Sequence, residues 1–206
     1  MRYLLAALMG YLLGCKSMAM KVSKRRNTDV RETGSKNLGA SNVVLLLGWK
    51  AGIVTGLHDI FKATLAVVLA KYLFPRLAYV GVVAGVSAIF GHMYPAHLGF
   101  RGGKGFACYY GMMLGLNWRF GLVLLGMILA VVLLSNYIVM GTVTVMFVSP
   151  AYMGLVEHNM VGVILMCTAT IVMLYKHREN FRRIMAGEAA KVRSAIRGEY
   201  REFQLK

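Results

Sequence analysis

The sequence predicts an all-α integral membrane protein with about seven transmembrane helices, some short or broken, the N-terminus outside and the C-terminus cytoplasmic. Three observations carry that prediction. The chain of 206 residues is 58% hydrophobic with a mean hydropathy of +0.59, and only 16% of it is charged, against about 25% in a soluble domain. The hydrophobic residues gather in seven runs. The cations are distributed on one side of those runs and almost absent from the other.

The first run covers about residues 1–22. Arg2 is a thin basic region for a signal peptide and no small-x-small cleavage site precedes a soluble domain, so this segment is expected to be retained as a first span. Further runs fall at about 51–74, 77–91, 105–117, 119–134, 138–156 and 160–175. Several are shorter than the roughly 20 residues of a straight crossing, which predicts tilted, broken or re-entrant elements. With the N-terminus outside, the segments 23–50, 92–104, 135–137 and 176–206 are cytoplasmic. They hold 18 of the 24 Lys and Arg, counting Lys21 at the edge, while Arg2, Lys71, Arg76 and Arg119 lie outside. That asymmetry satisfies the positive-inside rule.

Residues 1–206 are therefore expected to form a single membrane-embedded domain, with 176–206 a basic cytoplasmic C-terminal segment. The net charge of +16 becomes a one-sided surface attracted to anionic membrane lipids, at about 1 kcal/mol per basic residue. No nucleic-acid motif accompanies it, and neither nucleic acid nor an obligate protein partner is expected. Cys15, Cys108 and Cys167 are odd in number and far apart, which indicates neither a disulfide framework nor a metal site. The 15 methionines read as core filler and lipid-facing surface.

Four stretches rich in small and polar residues fall on the cytoplasmic side: GSKNLGASN (34–42), GHMYPAHLGFRGGKG (91–105), SNYIVMGT (135–142) and HRENFRR (177–183). Independent loops have no need to share a side, whereas a composite site does. In RGGKG the glycines can adopt backbone angles that aim successive N–H groups at an anion, and Lys104 adds a charge; a plain glycine-rich turn is the alternative. The pattern is not a P-loop, because Gly105 stands where that motif needs Ser or Thr. GSKNLGASN carries two hydroxyls and two amides, suited to a polyol or phosphate, or to capping the next helix through Ser41 or Asn42. Asp59 and Lys62, three apart in the second span, are expected to pair with each other or with another helix, as structural neutralisation. His58 has no evident partner, and Glu157 and His158 fall in an outer loop. The later Lys191, Arg193, Arg197 and Arg201 suggest an interfacial basic helix.

Taken in order, these segments resemble the bacterial acyl-phosphate:glycerol-3-phosphate acyltransferases of the PlsY type. GSKNLGASNVVLLLGWKAG, GHMYPAHLGFRGGKGFA and HRENFRRIMAGE are similar to three separated motifs of that family, across roughly residues 1–192. The resemblance implies a multi-pass enzyme of the bacterial cell (inner) membrane whose site faces the cytoplasm. The implied reaction moves a fatty acyl group from acyl phosphate to the 1-hydroxyl of glycerol 3-phosphate, giving lysophosphatidic acid and phosphate, with no cofactor and no metal. It implies Lys104, His177 and Asn37 as catalytic residues. Substrate-binding roles fall to Ser35, Ser41, Asn42, Gly102, Gly103, Gly105, Thr142 and Asn180. In detail, Lys104 with the amides of Gly102, Gly103 and Gly105 would hold one phosphate. Ser35, Asn37, Ser41 and Asn42 would hold the polyol, and Thr142, His177 and Asn180 a second anion, while His92 braces the loop.

The sequence departs from the family pattern in several places. Lys36 stands where Gly is usual and Leu38 where Pro or Ile is; Thr142 replaces a serine, and Val139 stands at another position that is often Ser. Leu45 occupies a position that commonly holds arginine, and Lys36, earlier in the same cytoplasmic segment, is the candidate cation to replace it. The alternatives are a divergent paralogue with another phosphorylated acceptor, and a transporter of a small phosphorylated solute. A His-x4-Asp pair, in which histidine deprotonates the acceptor, is absent: His97 lies five residues after His92, and Arg182 five after His177. Because an acyl phosphate is already an activated mixed anhydride, positioning and charge stabilisation suffice, with a substrate phosphate oxygen taking the proton.

Overall fold

The computed structural model describes residues 1–197, and among these every regular element is helical. Five stretches are long and apolar enough to cross a membrane: Arg2–Arg25, Trp49–Leu73, Trp118–Ser135, Ile138–Leu155 and Met160–Met185. The first is broken into α1 (Arg2–Cys15) and α2 (Met18–Arg25). At the break the Ser17 hydroxyl accepts from the Met20 amide to start α2, and the Lys16 carbonyl accepts from Lys62 Nζ at 2.8 Å. A side chain from a neighbouring helix thus satisfies a backbone group freed inside an apolar run.

The remaining helices are α3 (Ala40–Leu47), α4 (Trp49–Leu73), α5 (Val80–Met93), α6 (Phe106–Leu116), α7 (Trp118–Ser135), α8 (Ile138–Leu155), α9 (Met160–Met185) and α10 (Val192–Ile196), with a 3-10 turn at Ala96–Leu98. The cap expected from Ser41 or Asn42 is not formed, because α3 begins earlier and its N-cap is Gly39. At 14 and 11 residues, α5 and α6 are about 21 and 17 Å long, short of a hydrocarbon core about 30 Å thick.

Small residues let the helices approach. Gly10 and Gly14 of α1 lie directly on the carbonyls of Ala84 and Ala88 of α5, where a Cβ has no room. Gly111 and Gly115 of α6 lie likewise on Ile60 and Thr64 of α4. In apolar solvent, where packing rather than water exclusion joins helices, such small-x-x-x-small seams are the expected contact. Each seam advances in the same direction on both partners, so α1 runs parallel to α5 and α4 parallel to α6. The core is filled by Ile89, Tyr109 and many methionines, among them Met93, Met112, Met113, Met166 and Met173, all fully buried. Leu8, Leu57, Phe61, Leu122 and Leu133 stand exposed, as side chains facing lipid would.

Helix α9 corrects the expected end of the last run at 175. It continues through HRENFRR to Met185 as one helix of 26 residues, because Lys, Arg and Glu sustain helical structure after apolar periodicity stops. Gly187, with φ +74°, ends it, and the amides of Gly187 and Glu188 donate back to Ile184 O at 3.0 Å and Arg183 O at 2.8 Å, a glycine-closed C-terminus. Of the basic residues expected after it, Lys191 and Arg193 flank or join the short α10, and Arg201 lies outside the described residues.

Candidate active site

The four small, polar stretches meet around one cavity of about 240 Å³. Its lining includes Ser35, Asn37, Ser41 and Asn42 from the first, with Leu45 just after it in α3, Lys104 and Gly105 from the second, Tyr137, Val139 and Thr142 from the third, and His177, Asn180 and Arg183 from α9. Three helices start on it: α3 after Gly39, α6 after Gly105 and α8 after Tyr137, and none of the three has a side-chain cap. Uncapped first-turn N–H groups have no intrahelical acceptor and carry the positive end of the helix dipole. Three such termini together with Lys104 and Arg183 make the cavity a place for anions.

Continuous helix explains the α9 contribution. His177, Asn180 and Arg183 follow at threefold spacing and share a face, while Glu179 turns away to meet Arg183 Nε at 3.3 Å and Arg182 at 4.0 Å on the surface. Asn180 Oδ1 accepts from Lys104 Nζ at 2.6 Å, fixing the ammonium across the cavity. Burial, aided by the Arg183 charge and opposed by Glu179, pushes the Lys104 ammonium down to about 8. His177 is buried, and its Nδ1 lies 2.8 Å from the Met173 carbonyl. A carbonyl only accepts, so the proton sits on Nδ1 and Nε2 keeps its lone pair.

The structure redistributes the expected roles. Gly102 N donates to Met93 O at 3.2 Å and Gly103 N to His92 O at 3.0 Å, so these two amides close the end of α5 and do not cradle an anion. Neither glycine borders the cavity; Gly105 does, as the N-cap of α6. Asn42 is fully buried and spends its amide on the preceding loop: Nδ2 donates to Val30 O at 2.9 Å and Thr33 O at 3.2 Å, and Oδ1 accepts from Ser35 N at 2.9 Å. It holds Ser35 in place. Thr142 is buried in the wall, whereas Ser35 and Ser41 lie exposed at the rim. Lys36, also exposed, does not border the cavity; Leu45 does, and the cation that joins Lys104 there is Arg183.

Beneath the cavity lies a buried charged cluster. Lys62 Nζ is 2.7 Å from Asp59 Oδ1, 3.0 Å from His92 Nδ1 and 2.8 Å from Lys16 O, so all three of its protons are used. The expected Asp59–Lys62 pair is present, and it extends to a histidine. An ammonium only donates, so His92 Nδ1 accepts and its proton resides on Nε2, which sits against Gly103 where a Cβ would overlap it. The bracing expected of His92 is thereby visible, and Asp59 and His92 also border the cavity. Asp59, His92 and Cys108 bring three potential ligand atoms within 4.8 Å of one another, but Lys62 already supplies the cation at that point. His58 Nδ1 lies 3.7 Å from Asp59 Oδ1 and has no hydrogen-bond partner among the described residues.

Sequence reasoning missed Arg183 and the helix termini as site elements. The 177/180/183 spacing was readable only once α9 extends past 175, and convergence of termini requires the fold.

Comparison with known proteins fits this geometry. A family model described as glycerol-3-phosphate acyltransferase matches residues 4–187. A protein of Oceanobacillus iheyensis named glycerol-3-phosphate acyltransferase 1 is 34% identical over 202 residues, covering 94% of this chain and 97% of its own. The glycerol-3-phosphate acyltransferase of Clostridioides difficile is 36% identical over 196 residues, with 92% and 95% covered. The crystal structure of PlsY (YgiH), an integral membrane glycerol 3-phosphate acyltransferase, in its glycerol 3-phosphate form superposes with a TM-score of 0.85 at 26% identity, covering 92% of this chain and 94% of that one. The lysophosphatidic acid form gives 0.83 at 25% identity. With its apolar helices, uncapped termini and matched length, the chain belongs to the glycerol-3-phosphate acyltransferase family of integral membrane proteins.

Proposed function

We propose that this protein transfers a fatty acyl group from acyl phosphate to the 1-hydroxyl of glycerol 3-phosphate, releasing lysophosphatidic acid and inorganic phosphate. The observation that carries the reading is the convergence of three uncapped helix starts, Lys104 and Arg183 on one cavity, since both substrates are phosphate esters or anhydrides. Lys104 and the first-turn amides of α6 hold one phosphate. Ser35, Asn37 and Ser41 meet the polyol, with Asn42 positioning Ser35. Thr142, Asn180 and Arg183 complete the second anion position. His177 Nε2, an acceptor in this tautomer, receives a hydrogen bond from the 2-hydroxyl of glycerol 3-phosphate, and a phosphate oxygen takes the 1-hydroxyl proton as the acyl carbon–oxygen bond forms. The phosphate leaves as the anhydride bond breaks, so no enzyme nucleophile is needed.

In this reading α5 and α6 bring the crossings to seven in a bacterial inner membrane, with the N-terminus outside and the site in the cytoplasm. The parallel courses of α1 with α5 and α4 with α6 support that order, as does the concentration of Lys and Arg at the cavity end. The experiment is direct: purified protein receives palmitoyl phosphate and glycerol 3-phosphate, and lysophosphatidic acid and phosphate are measured. Equal turnover with palmitoyl-CoA overturns the donor, and absence of product from either donor overturns the acceptor.

Lys104 sets a pH dependence. Its ammonium is depressed to about 8, so the charged form is present below that pH and lost above it. A bound phosphate restabilises the ammonium, so the loss appears in kcat/KM, which reports free enzyme, rather than in kcat. The expected profile falls about tenfold per pH unit above that point. Lys104→Arg, which stays charged, is expected to remove this limb; a profile unchanged by that variant would assign it to another group.

A further inference from the structure

Beyond Met185 the described residues, through 197, stay against the molecule. The chain turns at Gly187, φ +74°, passes the cavity so that Ala189 and Ala190 line it, and is tied to the turn between α7 and α8. Val192 N donates to the Asn136 carbonyl at 2.9 Å, and Arg193 N donates to Asn136 Oδ1, also at 2.9 Å. Asn136 is itself held in the left-handed region, φ +64°, as the C-cap of α7. One residue therefore serves two purposes: its backbone ends a helix, and its two oxygens hold the returning strap. The family model ends at residue 187, so most of the strap lies beyond it.

The surroundings indicate which part of the cavity the strap bounds. Tyr137 and Ile138, which follow Asn136, and Ile184, which precedes the turn, line the cavity beside Ala189 and Ala190. Leu133, Leu134, Ile138 and Ile196 stand exposed around the attachment point, forming an apolar surface of the kind that faces lipid. Lys104 reaches the cavity from the loop before α6, and Arg183 from the last turn of α9, where its carbonyl accepts from the Glu188 amide at 2.8 Å. A long acyl chain is stabilised by every methylene kept out of water, so it enters from the bilayer, past an apolar border of this kind.

We propose that residues 186–193 are a wall of the acyl-donor end of the cavity, with Asn136 a positioning residue and Ala189 a specificity-determining residue for the acyl group. The inference rests on the acyltransferase reading above. Small side chains at 189 and 190 leave width for the chain, and the two hydrogen bonds from Asn136 hold that width constant. Glycerol 3-phosphate, small and polar, does not require this wall.

The test uses the full-length protein with palmitoyl phosphate and glycerol 3-phosphate. Asn136→Gly keeps the left-handed turn and the backbone acceptor but removes the bond to Arg193. It is expected to raise the KM for palmitoyl phosphate about three- to tenfold, the equivalent of one net hydrogen bond, with the KM for glycerol 3-phosphate within about twofold. Asn136→Asp, which retains an oxygen and tolerates the turn, is expected to restore the wild-type value. Ala189→Leu leaves every strap hydrogen bond intact and so tests the wall even where Asn136→Gly fails to fold; its overpacking is expected to raise the same KM by about fivefold or more. In an active wild-type enzyme, equal change in both constants or change in neither overturns the strap inference. A wild-type protein that makes no lysophosphatidic acid overturns the acyltransferase reading beneath it.

Discussion

Lys104→Ala is expected to lower kcat/KM about ten- to a hundredfold while leaving the protein folded, because it removes a charge-assisted contact to phosphate worth about 1.5–3 kcal/mol. The side chain is partly buried with Asn180 as its hydrogen-bond partner at 2.6 Å, so its removal also frees Asn180 Oδ1. Losing a lysine from a position already made unfavourable for charge by burial and by Arg183 relieves repulsion, and the thermal midpoint is expected to hold or rise. Activity and stability thus move in opposite directions, which a purely structural lysine would not produce. A near-wild-type rate would assign the phosphate to the helix termini and Arg183 alone. Asn180→Leu distinguishes the two contributions, since it leaves the ammonium present but unanchored.

The sequence made α4 and α6 to α8 legible to within a few residues, because long apolar runs bounded by polar turns leave few alternatives in a bilayer. It also grouped the four polar stretches on one side through the Lys and Arg asymmetry, and they do share a cavity. Four features were hidden for physical reasons. The break at Lys16–Ser17 depends on Lys62, which lies 46 residues away and donates to the freed carbonyl. The extension of α9 past 175 depends on helix propensity in a polar segment where hydropathy gives no signal. The roles of Gly102 and Gly103 were misassigned because a Gly-Gly pair permits both an anion cradle and a close approach of backbone to side chain. Only the positions of the His92 and Met93 carbonyls and the His92 ring select the second. Asn42 was equally ambiguous: a polar residue near a site reads as a ligand until its amide is found fully used by Val30, Thr33 and Ser35.

The second large effect is expected in the buried cluster. Lys62→Met leaves the Asp59 carboxylate 3% exposed without its ammonium, and removing one partner of such a pair costs about 3–5 kcal/mol. The double variant Asp59→Asn, Lys62→Met removes both charges, and apolar replacement of a whole buried pair is often close to neutral, so most of the lost stability is expected to return. Activity is not expected to return with it. In both variants His92 Nδ1 loses the donor at 3.0 Å and the proton is no longer confined to Nε2; in the single variant the Asp59 carboxylate, 3.5 Å from Nδ1, can accept it there, and in the double variant the ring that presses on Gly103 is free to turn. The loop carrying Lys104 then loses its brace while the helices remain packed. Thermal unfolding and kcat/KM measured on the two single variants and the double form a cycle that separates these contributions. Recovery of both quantities in the double variant would reduce the cluster to charge neutralisation; recovery of stability alone would identify Lys62 as the residue that sets the His92 tautomer and, through it, the phosphate-binding loop.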